Sequence, residues 1–347
     1  MIRIYPVKKN LYPRHVFRIS RASRPLVQNV FIVLEQKGVM GYGEASPNAF
    51  FGEDPLDVEM SLAGLADYFR RQTLESPEDI ARIWEEIWVR VAPSRACQCA
   101  VDIALWDLLT KQAGVTVAQA ALGRPAIPVA TSATLGLCEP EAWPARVAEV
   151  REFPAVKVKM DASAGLDLLR FIREQGSQAI RVDANCSWSG RDVPKLAGDL
   201  AGLGVEFIEQ PLPPAENHRM EDILSASPLP IFADESCFGP ADVENLPGRF
   251  SGFNIKLVKC GGLTPALAML RRGKQLGLQV MVGCMLESSL LISAGFVAAQ
   301  GADYADLDGS WLLKEDVFAG LSIRAGRLLP SGTPGLGVEP KFPPVES

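Results

Sequence analysis

Apolar and polar residues follow two rhythms along this chain, and the change from one to the other falls just after residue 122. Before it, β-like runs at 30–34 and 39–42 flank Gln36-Lys37-Gly38, the signal of a hairpin. Helical periodicity follows over 55–69, 77–89 and 95–112, in long amphipathic segments separated by Pro or Ser-Pro. Residues 1–122 therefore predict an α+β domain. After Gly123-Arg124-Pro125, short apolar runs recur, each followed by a helical segment: 127–134, 155–160, 179–182, 205–208, 231–233, 253–258, 279–282 and 304–307. Parallel strands buried on both faces read as such runs, and eight βα units close a barrel of the TIM type. The pattern divides the chain into an α+β domain, 1–122, and a barrel, 123–315. The tail, 316–347, has a β-like piece at 321–323 and then Gly/Pro-rich turns, and is expected to return to and complete the first domain.

Composition narrows the classes. The chain has 347 residues, 48% hydrophobic and 22% charged, which is a folded and not a disordered composition. No stretch approaches the ~18 uninterrupted apolar residues of a membrane span. A net charge of −6 has the wrong sign for a nucleic-acid partner. The only histidines are His15 and His218, so a multi-histidine metal site is excluded and acid/base chemistry falls to lysine and carboxylates. Seven cysteines without a CxxC pair, behind a start that lacks a signal peptide, imply a reduced, cytoplasmic setting. Cys97 and Cys99 fall on a helical pattern as core residues.

Polar residues interrupt the apolar runs at one recurring place, the carboxyl end. Lys157 and Lys159 lie in AVKVKMD, Asp183 and Asn185 in IRVDAN, Glu209 in EFIEQP, Asp234 and Glu235 in IFADES, Asn254 and Lys256 in FNIKLVK. They recur roughly every 25 residues, the repeat of a βα unit in a barrel, and active sites of such barrels sit at that end. Asp183, Glu209 and Asp234 come from consecutive strands three, four and five. Three carboxylates without thiolate or imidazole favour Mg²⁺. Lys159 on strand two and Lys256 on strand six face each other across the mouth with the metal between them. Strand alternation points Lys157 the same way as Lys159, and Asn254 the same way as Lys256. A second ammonium beside Lys159, plus the cation, disfavours its protonation and suits it to be a general base. Two opposed bases and a divalent cation suit inversion of a stereocentre next to a carboxylate: the metal stabilises an enediolate, one lysine removes the α-proton, and the other returns a proton to the opposite face.

With these segments in place, the whole chain resembles the enolase superfamily, whose members use a Lys or His base with Mg²⁺. KVKMD is similar to the KxK motif of its muconate-lactonising subgroup, with Lys159 as the catalytic lysine, while VDAN, EQPL and ADES match the metal-ligand segments and NIKLVKCGG the opposite lysine. The likeness implies a modified TIM-type (β/α)7β barrel with an α+β cap, and makes Glu235 a supporting carboxylate near Lys256. The mandelate-racemase subgroup fits poorly, since its His-Asp base is absent. Asp306-Leu307-Asp308 resembles the DxD signature of dipeptide epimerases, whose two carboxylates hold the substrate's α-ammonium. Read alone, it is a turn. FRISRASR resembles the mobile capping loop of Ala-Glu epimerases, which makes Arg21 and Arg24 candidates for reading a side-chain carboxylate. Glu287 in GCMLESS, after strand seven, would favour a cationic or neutral second residue if it reached that pocket.

The resemblance implies Mg²⁺-dependent epimerisation of L-Ala-L-Glu, with epimerisation of cationic or hydrophobic dipeptides as the nearest alternative. Cycloisomerase, o-succinylbenzoate synthase and N-acylamino-acid racemase chemistry fit less well, because those substrates lack an ammonium for the DxD pair. A non-catalytic binding protein on the same barrel is the alternative from another class. The expected partner is a small dipeptide, with no nucleic acid and no membrane, and barrels of this kind often form homo-oligomers.

Overall fold

The computed structural model describes residues 1–19 and 22–343. Val27–Gln36 and Val39–Ala45 form the expected hairpin, with Lys37 (φ 55°) and Gly38 (φ 80°) making a two-residue turn in the left-handed region that matches strand twist. A strand not foreseen from the pattern, Arg3–Leu11, adds an antiparallel edge to Val27–Gln36. The helical segments appear as Pro55–Ala63 and Ala66–Phe69, parted at Gly64, then Pro77–Val91 and Arg95–Ala113. The last is buried along nearly its whole length, including Cys97 and Cys99. It crosses the sheet so closely that a Cβ on Gly41 or Gly43 would collide with the carbonyls of Ala104 or Ala100.

Eight parallel strands follow in sequential order: Ser132–Leu135, Ala155–Lys159, Ala179–Asp183, Val205–Glu209, Ile231–Ala233, Gly252–Lys256, Gln279–Gly283 and Tyr304–Asp306. The first expected run, 127–134, splits. Val129–Ala130 pairs antiparallel with Arg327–Leu329 of the tail, and only Ser132–Leu135 joins the barrel. The sixth expected run ends early because the chain turns into a one-turn helix, Leu257–Cys260. Between the last strand and the first, side chains stand in for the backbone ladder. Ser132 Oγ donates to Asp306 Oδ1 at 2.6 Å, Thr134 N to Asp308 Oδ2 at 2.5 Å, and Leu307 N to Thr131 Oγ1 at 2.7 Å.

The cap is fastened to the barrel beside the sixth strand. Asp102 accepts from Thr264 N, Trp106 Nε1 donates to Thr264 Oγ1, and Trp84 Nε1 to the Gly261 carbonyl. A second anchor lies at the seventh, where buried Glu44 accepts from Ser288 N and Oγ ahead of the helix Ser289–Ala299. In the tail, Phe318 and Phe342 pack on Phe31, and Leu336 N donates to Asp107. Among the described residues, no helix is long and apolar enough to cross a membrane.

Candidate active site

The ladder places one polar side chain after another at the carboxyl ends of adjacent strands. Lys159 pairs in register with Asp183, and Asp183 with Glu209. Asp234 follows one residue after the fifth strand. All three carboxylates are buried, and one oxygen of each lies within 4.8 Å of the others. These hard oxygens, with no thiolate or imidazole among them, suit a small divalent cation. Burial, and then the negative charge of Asp183, pushes the Glu209 carboxyl up to about 7. Burial also opposes ionisation of Asp183 and Asp234, but Lys159 and Lys157 beside the first, and Lys256 and Lys259 beside the second, outweigh it and hold both below the usual carboxylate range. A fourth buried carboxylate, Glu235, and Asn185 line one cavity together with Asp234.

The lysines interleave with this triad. Lys159 Nζ stands 2.6 Å from Asp183 Oδ2, and Lys256 Nζ 2.7 Å from Asp234 Oδ2. Four strands separate them in the order of eight, so they face one another over the cavity that both line. Lys157 stands among acids: Asp183 at 3.1 Å, Glu209 at 2.6 Å and Asp306 at 2.8 Å. Burial disfavours its charge, yet these neighbours outweigh the cost and raise its pKa well above the ordinary lysine value. Lys157 is thus neutralised by three carboxylates, where the sequence suggested a second ammonium acting on Lys159. Asn254 Nδ2 donates to Glu209 Oε1 at 2.8 Å.

At the barrel seam, both oxygens of Asp306 are engaged, by Ser132 and by Lys157. Asp308 spends Oδ2 on Thr134 N, and Oδ1 meets the weak Cys284 thiol at 3.9 Å. Burial and then Asp306 raise the Asp308 carboxyl to about 7. The seam thus brings two carboxylates into the cavity that Asp234, Lys159 and Lys256 line.

The cap supplies the rim. The hairpin of Phe17–Ile19 and Ala22–Arg24 contributes Phe17, Ile19 and Arg24, and the turn at Ala49–Phe51 contributes Phe51. Arg24 donates to Asn48 Oδ1 at 2.7 Å. Arg21 lies outside the described residues. Ile19 and Lys159 also line an adjoining cleft of about 740 Å³ walled by Arg18, Leu137 and Trp143. The structure does not bring Glu287 to the rim. Its carboxylate folds back to accept from Met285 N at 2.9 Å, and burial followed by the charge of Glu44 raises it to about 8, while Met285 and Leu286 face the cavity instead.

Sequence reasoning passed over Lys259. Its ammonium is 1% exposed and contacts Asp234 Oδ1 and the carbonyls of Asp234, Cys237 and Asn254 at 2.6 to 3.0 Å. The signal was available as a second lysine three residues after Lys256, in an otherwise apolar run. Ser132 and Thr134, which bind the seam aspartates, carried no signal of their own.

Comparison with known proteins shows the family. Residues 1–122 match the mandelate racemase / muconate lactonizing enzyme N-terminal domain, and residues 142–343 match the enolase C-terminal domain-like family. The chain is 36% identical over 325 residues to the L-Ala-D/L-amino acid epimerase of Maribacter sp., covering 91% of this chain and 92% of that one. It superposes with a TM-score of 0.86 and 32% identity on an Agrobacterium tumefaciens enolase family member with homology to dipeptide epimerases, bound to sodium and L-Ala-L-Glu, over 95% of this chain and 98% of that one. With a TM-score of 0.88 and 32% identity, it also superposes on the dipeptide epimerase of Methylococcus capsulatus complexed with Mg and L-Arg-D-Lys, over 97% and 99% of the two chains.

Proposed function

Because the chain belongs to the mandelate racemase / muconate lactonizing enzyme family of the enolase superfamily, we propose that it is a Mg²⁺-dependent dipeptide epimerase. It inverts the α-carbon of the second residue by two-base proton transfer. The observation that carries this reading is a cavity lined by two opposed lysines, by Asp234 of the buried carboxylate triad and by a second carboxylate pair at the seam. A dipeptide zwitterion has a carboxylate at one end and an ammonium at the other, and this cavity has a complement for each.

Asp183, Glu209 and Asp234 hold the cation, which when bound supplies the positive charge that makes a C–H beside a carboxylate acidic. Lys159 and Lys256 approach that carbon from opposite faces, one taking the proton and the other delivering one. Lys157 and Asn254 keep the acidic set in place. Asp308, with Asp306 behind it, receives the ammonium, which sets the distance from that end to the reacting carbon. Glu235 supports the Lys256 side.

L-Ala-L-Glu is the first substrate in this proposal, with Arg24 as the reader of its side-chain carboxylate. A hydrophobic second residue is the competing choice, favoured by the apolar rim of Phe17, Ile19 and Phe51 and by the engagement of Arg24 with Asn48. We assign the reaction to a reducing cytoplasm, the setting in which the seven cysteines of the chain would persist as thiols. The test is deuterium exchange in D₂O with a dipeptide library, read by mass spectrometry and chiral analysis. One deuteron should enter the α-carbon of the second residue, with inversion, in Mg²⁺ and not in EDTA. Exchange that ignores EDTA, or no exchange with any dipeptide, would sink the reading.

A further inference from the structure

The three ligand carboxylates are held in one shared way. One oxygen of each is tethered by a donor of the chain: Asn185 N to Asp183 Oδ1 at 2.9 Å, Asn254 Nδ2 to Glu209 Oε1 at 2.8 Å, Lys259 Nζ to Asp234 Oδ1 at 2.6 Å. The other oxygen faces lysine ammoniums: Lys159 and Lys157 at Asp183, Lys157 at Glu209, Lys256 at Asp234. At Glu209 Oε2, that contact lacks hydrogen-bonding geometry.

The tethers are fixtures. Lys259 is buried, and four acceptors surround its three N–H groups, so it cannot swing away as Lys256 must in order to reach a substrate. The one-turn helix Leu257–Cys260 is what folds it back under Asp234. Asn254 is fully buried on the sixth strand. The Asn185 tether is a backbone bond made with that residue in the left-handed region, φ 44°, a conformation asparagine tolerates.

A tethered carboxylate offers one oxygen to a cation. Mg²⁺ requires near-octahedral coordination with short bonds and keeps waters or substrate oxygens, whereas Ca²⁺ takes about six to eight oxygens and gains from carboxylates that bind through both. We propose that Lys259 and Asn254 are metal-selectivity residues, which restrict Asp234 and Glu209 to single-oxygen ligation and so set the site for a small octahedral cation against Ca²⁺. This rests on the assignment of Asp183, Glu209 and Asp234 as metal ligands.

The experiment is calorimetric titration of Mg²⁺ and of Ca²⁺ into the EDTA-stripped full chain and into Lys259→Met and Asn254→Ala. The wild type should favour Mg²⁺. In both variants the ratio of the Ca²⁺ to the Mg²⁺ dissociation constant should fall by about tenfold or more, the scale on which groups behind metal ligands act. Removing the Lys259 charge strengthens both cations alike, and a merely structural role weakens both alike, so the ratio carries the result. Where circular dichroism shows Lys259→Met unfolded, Asn254→Ala decides, because it removes an uncharged tether. An unchanged ratio in a folded variant overturns the proposal. A wild type that binds neither cation overturns the ligand assignment itself.

Discussion

The ring of strand ends and the rim of the cap meet in one cavity, yet they are built in different ways. In the ring, the lysines, Asp183 and Glu209 sit on strands paired on both sides, and each of these side chains is less than 10% exposed. At the rim, a two-stranded hairpin is tied down by the hydrogen bond from Leu137 N to the Arg18 carbonyl and by the Arg24–Asn48 bond. A paired, buried frame holds charges within tenths of an ångström, as proton transfer requires. A half-buried two-stranded hairpin at the surface can change without disturbing that frame. Solved structures of the same architecture hold L-Ala-L-Glu in one case and L-Arg-D-Lys in another.

Substitutions in the ring should therefore abolish reaction whatever the substrate. Lys159→Ala and Lys256→Ala should each lower net epimerisation by about 10²–10⁴-fold, while each keeps α-hydrogen exchange with the one diastereomer that faces its surviving lysine. Chiral analysis alongside deuterium uptake checks this. Near-normal epimerisation in both would mean that the two lysines do not divide the work. Asp183→Asn should likewise remove turnover and the thermal stabilisation by Mg²⁺ seen in a melting curve.

The seam stands between ring and rim, and its effect should be intermediate. Asp308→Asn, or N-acetylation of the substrate, should cost about 1.5–3 kcal/mol in kcat/KM, the size of a charge-assisted hydrogen bond. Asp306→Asn should act more on kcat, because Asp306 holds Lys157 against Asp183 and Glu209, two of the proposed metal ligands. Equal KM effects from both would show that the two aspartates share the ammonium evenly.

Rim substitutions should change preference and not rate. Arg24→Ala should lower kcat/KM for L-Ala-L-Glu by about tenfold relative to L-Ala-L-Leu. A parallel loss for both substrates would remove Arg24 from side-chain recognition. The smallest effect belongs to Glu287→Gln, which should leave the ratio of L-Ala-L-Lys to L-Ala-L-Glu unchanged. Its signature is in stability. The buried Glu287 carboxyl titrates near 8 when folded and at about 4.3 when unfolded. The folded state therefore keeps its proton longer, and the stability this contributes is present below the unfolded value and lost as pH rises through 8. The neutral glutamine should flatten that fall, changing the wild-type-minus-variant melting difference by roughly 5 °C between about pH 5 and pH 9.

Most of the ring was legible in the chain because its period is local. A strand end recurs with each βα unit, so Lys159, Asp183, Glu209, Asp234 and Lys256 could be placed side by side and opposite one another from spacing alone. The cap hairpin and the long helices were legible for the same reason. The first strand, Arg3–Leu11, was not, because it pairs with residues up to 32 positions away and only three of its nine residues are apolar aliphatics. Nor was the split of 127–134, where the tail, arriving from residue 327, takes two residues for another sheet.

The sequence by itself determined which residues carry charge at the mouth of the barrel and in what order they go round it, since strand period and connection order are properties of neighbouring residues. Only the tertiary structure decided what each charge faces. It surrounded Lys157 with acids, folded Lys259 under Asp234, closed the seam through Asp306 and Asp308, and buried Glu287 behind the cavity wall. Such pairings join residues as far as 174 positions apart. They follow from the rule that a buried charge must find a partner in whatever surrounds it, which no local pattern specifies.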